Sequence, residues 1–92
     1  MSDWLYWAHL PPMLLKSRLV SASAKPVWAA IRHLLGVVNT GPLTLQEIAD
    51  ASGLSLNTVR RNVRQLEAQG WLKVKRNPWR GHANVYETTI PF

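Results

Sequence analysis

Between Ser55 and His82 the chain gathers side chains that make directional, charge-assisted hydrogen bonds. Ser55, Asn57, Thr58, Arg60, Arg61, Arg64 and Gln65 come first, and Lys73, Lys75 and Arg80 follow. Arginine offers a planar fork of donors, and a carboxamide sets a donor beside an acceptor. Such groups recognise flat hydrogen-bonding edges and phosphate oxygens, often two bonds at a time. Catalytic constellations are missing by comparison. The acids Asp3, Glu47, Asp50, Glu67 and Glu87 are scattered, and His9, His33 and His82 fall on different segments without metal-ligand spacing. The chain has no cysteine, and its glycines form no phosphate-binding loop. The expectation is therefore a protein with no catalytic residues, no metal, no cofactor and no small-molecule ligand.

The polar residues need an element to hold them. Thr44 with Glu47 three positions later has capping-box spacing, so a helix opens there, with Leu45, Ile48 and Ala49 on one face. Gly53 supplies a left-handed stop, and Ser55 is placed to cap a second helix. In that helix Leu56, Val59, Val63 and Leu66 repeat at inward spacing. At roughly 100° per residue the opposite side carries Asn57, Thr58, Arg61, Arg64 and Gln65, with Arg60 and Asn62 flanking. Gly70 closes it. Trp71, Leu72 and Val74 then alternate with Lys73 and Lys75, a half-buried strand. Residues 85–90 read as a second strand, with Tyr86, Thr88 and Ile90 sharing a face. The loop between them, residues 76–83, is shaped by Pro78 and Gly81 and decorated by Trp79, Arg80 and His82.

A helix followed by a basic ribbon suits one macromolecular partner in particular. The B-DNA major groove admits an α-helix, and arginine, asparagine and glutamine pair with base edges there. Asn57, Thr58, Arg61 and Gln65 are the expected base readers. Ser55, Arg60, Arg64, Lys73, Lys75 and Arg80 are expected on phosphates, or, for Arg80, in the minor groove, where a narrow groove favours an inserted arginine.

The matching residues IADASGLSLNTVRRNVRQLEAQGWLKV, followed by NVYETT, resemble the winged helix-turn-helix DNA-binding domains of bacteria, phages and plasmids. The resemblance covers about half the chain. It implies an α+β, mainly α fold, with a three-helix core and a two- or three-stranded antiparallel wing. It also implies double-stranded DNA as partner. More loosely, PPMLLKSRLVSASAKPVWAAI resembles the lead-in of helix-turn-helix domains in phage and plasmid replication proteins. Three roles stay open: a small dimeric transcription regulator, the origin-binding domain of a replication initiator, and a winged helix used for protein contact.

The 92 residues are enough for one small domain, and their net charge is +6. From Ser55 to His82 seven cations stand against the single acid Glu67, which accounts for that whole excess. A localised basic face suits a polyanion. An anionic membrane is the weaker competitor, because the arginine-bearing helix spends its apolar face on the core. No stretch reaches membrane-span length, and Asp3, His9, Pro11 and Pro12 spoil a signal-peptide pattern. The lack of cysteine fits a cytoplasmic protein. The chain's end at Phe92 suits either a complete small protein or the N-terminal domain of a longer one.

Upstream, the domain proper is expected over residues 23–92, behind a lead-in segment 1–22. Trp4, Tyr6 and Trp7 make its first nine residues a strand packed on the domain or a contact for a partner or second copy. Met13–Leu15 read as one helical turn after the two prolines. Ala24–Val38 reads as a long helix capped by Ser23, with Val27, Trp28, Ile31, Leu34, Leu35 and Val38 inward and Arg32 and His33 outward. This helix is the alternative place for a homodimer contact. Residues 39–42 read as a turn, with Leu43 as a short strand against the wing.

Overall fold

The computed structural model describes residues 11–79 and 83–90. Its elements in order are α1 (Pro12–Lys16), α2 (Ala24–Leu35) with a 3₁₀ turn (Gly36–Val38), β1 (Thr40–Leu43), α3 (Leu45–Ser52), α4 (Leu56–Ala68), β2 (Leu72–Lys75) and β3 (Asn84–Thr88). The strands form one antiparallel sheet in the order β1-β3-β2. This is the α+β winged-helix architecture that the resemblance implies, with a three-stranded sheet.

The helix-turn-helix is built as its sequence dictates. Thr44 Oγ1 accepts from the Glu47 amide at 3.1 Å, and the Glu47 carboxylate accepts from the Thr44 amide at 3.0 Å. Gly53 takes φ 74°, and its amide and that of Leu54 both return to the Ala49 carbonyl. Ser55 Oγ accepts from the Thr58 amide at 3.2 Å. At the far end of α4, Gly70 takes φ 83°; its amide bonds Glu67 O, and the Trp71 amide bonds Leu66 O. That pair of bonds is a Schellman closure, and it turns the chain directly into β2.

The core joins all the elements. Leu14, Val27, Ile31, Ile48, Val59 and Leu66 have no exposed surface, and Trp28, Leu43, Trp71, Leu72 and Tyr86 are nearly as deep. Trp28 and Trp71 meet edge to face, with ring centroids 6.5 Å apart, and Trp28 Nε1 donates to the Trp71 carbonyl at 2.8 Å. Leu14 of α1 and Val20 of the connecting segment belong to this core. The aromatic residues 1–9 lie outside the described residues.

Four expectations need correction. α2 stops at Leu35, because Gly36 leaves helical geometry at φ 67°; Val38 is 70 % exposed and Leu34 is also exposed. Ser23 occupies the cap position of α2 but does not cap it; its hydroxyl bonds Asn62 instead. The turn at residues 39–42 is mostly strand. Asn39 alone takes the left-handed conformation, and Thr40–Leu43 pair with β3. Ile90 falls beyond β3 and is exposed, as is Leu56 at the start of α4.

Gly53 sits where a Cβ would meet nothing within 4 Å, so only its positive φ resists a side chain. Gly53→Ala is expected to cost about 1–2 kcal/mol, and Gly53→Asn less, read as shifts of the urea midpoint at unchanged slope. An unshifted midpoint for the alanine variant would show that the left-handed turn carries no stability.

Candidate nucleic-acid interface

The outer face of α4 is the first half of the candidate surface. Its inner side buries Val59, Asn62, Val63 and Leu66. Helical rotation then sets Asn57, Arg61 and Arg64 furthest from the core, and all three are exposed. Arg61 and Arg64 make no hydrogen bond or ion pair to another described residue, so both guanidinium groups stay available to a ligand. Arg60 leans back along the helix, and its Nη1 donates to Asn57 Oδ1 at 3.2 Å. Thr58 is half-buried, and its hydroxyl accepts from Ser55 Oγ at 2.9 Å. Ser55 and Thr58 therefore order the N-terminus of α4 as well as edging its face.

Two side chains placed on or beside that face by periodicity are used inside the molecule. Gln65 Oε1 accepts from the Ser21 amide at 2.8 Å. Asn62 is 1 % exposed; its amide donates to Ser23 Oγ at 3.0 Å and its carbonyl accepts from Ser21 Oγ at 3.1 Å. The segment entering α2 thus docks on this flank of α4, and an Asn buried there must find partners. Helical spacing alone carries no signal of that docking, since the partners lie 39 and 41 residues away.

The second half is the notch between α4 and the wing. Leu45, Arg60, Val63, Arg64, Val74, Arg76, Asn84 and Tyr86 enclose about 170 Å³. Arg76 forms a two-bond pair with Glu67, at 2.8 and 3.0 Å, which ties β2 to the last turn of α4. The bonds from Arg76 hold the Glu67 carboxyl below its ordinary value, and Glu67 in turn holds the Arg76 guanidinium more firmly protonated. Arg76 is thereby neutralised, and the positive charge of the notch comes from Arg60 and Arg64. Burial pushes the Tyr86 phenol up against an opposing hydrogen bond with Asn84, so its hydroxyl remains protonated. The clamp escaped the sequence reading because Glu67 and Arg76 are separated by the Gly70 turn, whose angle only the folded chain sets.

Lys73 and Lys75 occupy a different surface. Leu72 and Val74 turn toward the helices, so the lysines project from the outer face of the sheet, Lys73 opposite Glu87 and Lys75 opposite Val85. They flank the wing rather than α4. Arg80 lies outside the described residues. Among the described residues no group of three metal-ligating side chains converges, and no helix is long and apolar enough to cross a membrane.

Comparison with known proteins agrees with this geometry. The sequence profile of the IclR helix-turn-helix domain matches residues 39–76, from the start of the sheet through both helices to the clamp at Arg76. A solved structure described as the N-terminal domain of a DNA-binding protein superposes with a TM-score of 0.69 at 14 % identity, over 100 % of this chain and 83 % of that one. No curated protein sequence matches.

The clamp predicts an acid-sensitive contribution to stability. Because the folded-state pKa of Glu67 is depressed, the contribution is present above the ordinary carboxylate pKa of about 4.3 and is lost as pH falls through the lower folded value. For this partly exposed pair it should amount to about 0.2–1 kcal/mol. Denaturation of wild type and Glu67→Gln across pH should show a gap at neutral pH that closes in acid. A gap that persists at pH values where Glu67 is protonated in both states would place the effect elsewhere.

Proposed function

We propose that this chain, a winged helix-turn-helix domain, binds double-stranded DNA with α4 in the major groove and the wing beside the backbone. The observation that carries the reading is the outer face of α4. Asn57, Arg61 and Arg64 stand exposed on a helix capped at one end, closed at the other and packed on the core along its inner side. Such a helix meets a groove already ordered, so its side chains alone need to adjust. Arg61 and Asn57 read base edges. Arg60 and Arg64, at the mouth of the notch, take phosphate oxygens, and Ser55 and Thr58 adjoin the backbone at the helix start. Lys73, Lys75 and Arg80 serve the flanking duplex through the wing. Gln65, committed to the Ser21 amide, drops from the base-reading set.

The activity proposed is binding without catalysis, in the cytoplasm, and the role is transcription regulation. The correspondence of residues 39–76 to the IclR helix-turn-helix domain supports that role over replication initiation. In that role the domain would act as a pair of copies on a two-fold operator. Iterated direct repeats as the preferred target would instead favour the initiator.

Fluorescence anisotropy of a labelled random duplex at several salt concentrations tests the core of the proposal. Neutralising each phosphate should contribute about −0.9 to the slope of log affinity against log salt, with about four to seven contacts in all. Arg64→Ala should weaken all sequences alike and flatten the slope. Arg61→Ala should cost about 1–3 kcal/mol on a selected target and relax specificity at one position. Absence of binding at about 50 mM salt, where such contacts are strong, would sink the DNA assignment. Unchanged function after charge reversal of Arg61 and Arg64 would point to a protein-contact module.

A further inference from the structure

The wing carries a second feature that the groove-reading face leaves unused. Trp79 is 72 % exposed, a large aromatic surface to leave in water. Its backbone is nevertheless fixed. The Trp79 amide donates to Asn77 Oδ1 at 2.9 Å, and the Asn77 amide donates to Asn84 Oδ1 at 2.9 Å, so the residue is tied through Asn77 to the start of β3. Pro78 stiffens the intervening step.

Trp79 lines a cleft of about 320 Å³ with Lys75, Arg76, Asn77, Pro78, Ala83 and Val85. The volume sits at the low end of small-ligand sites, which run about 300–1,000 Å³. Pro78, Trp79 and Val85 give it apolar walls, and Lys75 gives it a positive charge with no acid among the described lining residues. Lys75 and Val85 belong to the outer face of the sheet, so the cleft opens on the side of the wing away from α4.

We infer that this cleft receives an unpaired nucleobase of bound DNA, stacked on Trp79 with the adjoining phosphate near Lys75. The inference rests on the DNA-binding reading and deepens it. An indole stacks on any base, and a cation beside it engages the anionic backbone; this pairing of aromatic and basic groups is how proteins hold single strands. A base paired within the duplex that α4 reads is enclosed in its stack, whereas a base at a gap, fork or melted step is free to reach the outer side of the wing. The domain would then prefer duplex that adjoins a short single strand.

The test compares labelled DNAs sharing one duplex, either blunt or ending in short unpaired arms. The proteins are wild type, Trp79→Ala and Trp79→Phe, and anisotropy gives the affinities. Wild type should bind the forked DNA on the order of tenfold more tightly than the blunt one, the size expected for stacking of one base. Trp79→Ala should bind both as wild type binds blunt duplex, and Trp79→Phe should keep part of the preference. Trp79 is solvent-exposed, so the alanine variant should unfold at the wild-type urea midpoint. Equal affinity of wild type for the two DNAs overturns the inference, as does a preference that survives Trp79→Ala. Equal loss on both DNAs in that variant overturns it too, making Trp79 an ordinary duplex contact. Blunt-duplex binding by wild type reports on the DNA reading itself, so the two ideas fail separately.

Discussion

The backbone of Trp71 is the joint on which the molecule turns. Its amide closes α4 through Leu66 O, and its carbonyl accepts both Trp28 Nε1 of α2 and the Thr89 amide beyond β3. Helix end, core helix and wing therefore meet at one residue, and the two indole rings pack edge to face beside it. A buried carbonyl with two donors is fully satisfied, and its donors come from segments far apart in sequence. Such a joint is expensive to distort. It fixes where β2 leaves α4, and hence the angle between the exposed helix face and the wing.

A second tie lies outside that joint. The Glu67–Arg76 pair spans the same turn on the surface, so one end of the wing is held from inside by Trp71 and from outside by charge. Exposed ion pairs contribute little to global stability. Here the larger consequence is geometric: Arg76 is neutralised and held, leaving Arg60 and Arg64 to supply charge to the notch. Opposite them, Ser21 and Ser23 seize Asn62 while the Ser21 amide takes Gln65. The flank of α4 facing α2 is consumed by the fold, and the flank facing the wing remains for a ligand. Among the described residues the basic side chains of α4 and the wing thus fall in three places: a helix crest, a notch, and the outer face of the sheet.

Much of this was legible in the sequence because it depends on neighbours. The capping box at Thr44 and Glu47, the left-handed Gly53, the Ser55 cap and the inward stripe of Val59, Val63 and Leu66 all arise within one or two helical turns. Each appears in the structure as the spacing requires. Periodicity also separated inner from outer residues on β2. It erred at Leu34, Val38 and Leu56, where apolar side chains keep helical spacing after the core has run out of partners. Spacing records which face a residue shares, and burial also needs something to face.

What the sequence determined by itself, then, was the kind of element at each place and the types of side chain available to a groove. Hydrogen bonds to near neighbours and hydrophobic period suffice for that. Tertiary structure alone decided which polar side chains are turned outward and which are held against another segment. Asn57 lies only five residues from Asn62 and is the same residue type. Asn62 and Gln65 nonetheless lie against a segment about forty residues earlier in the chain. A buried carboxamide must satisfy its donors and acceptors wherever it is packed. Which segment packs there follows from the closure of the whole core, and no local pattern contains it.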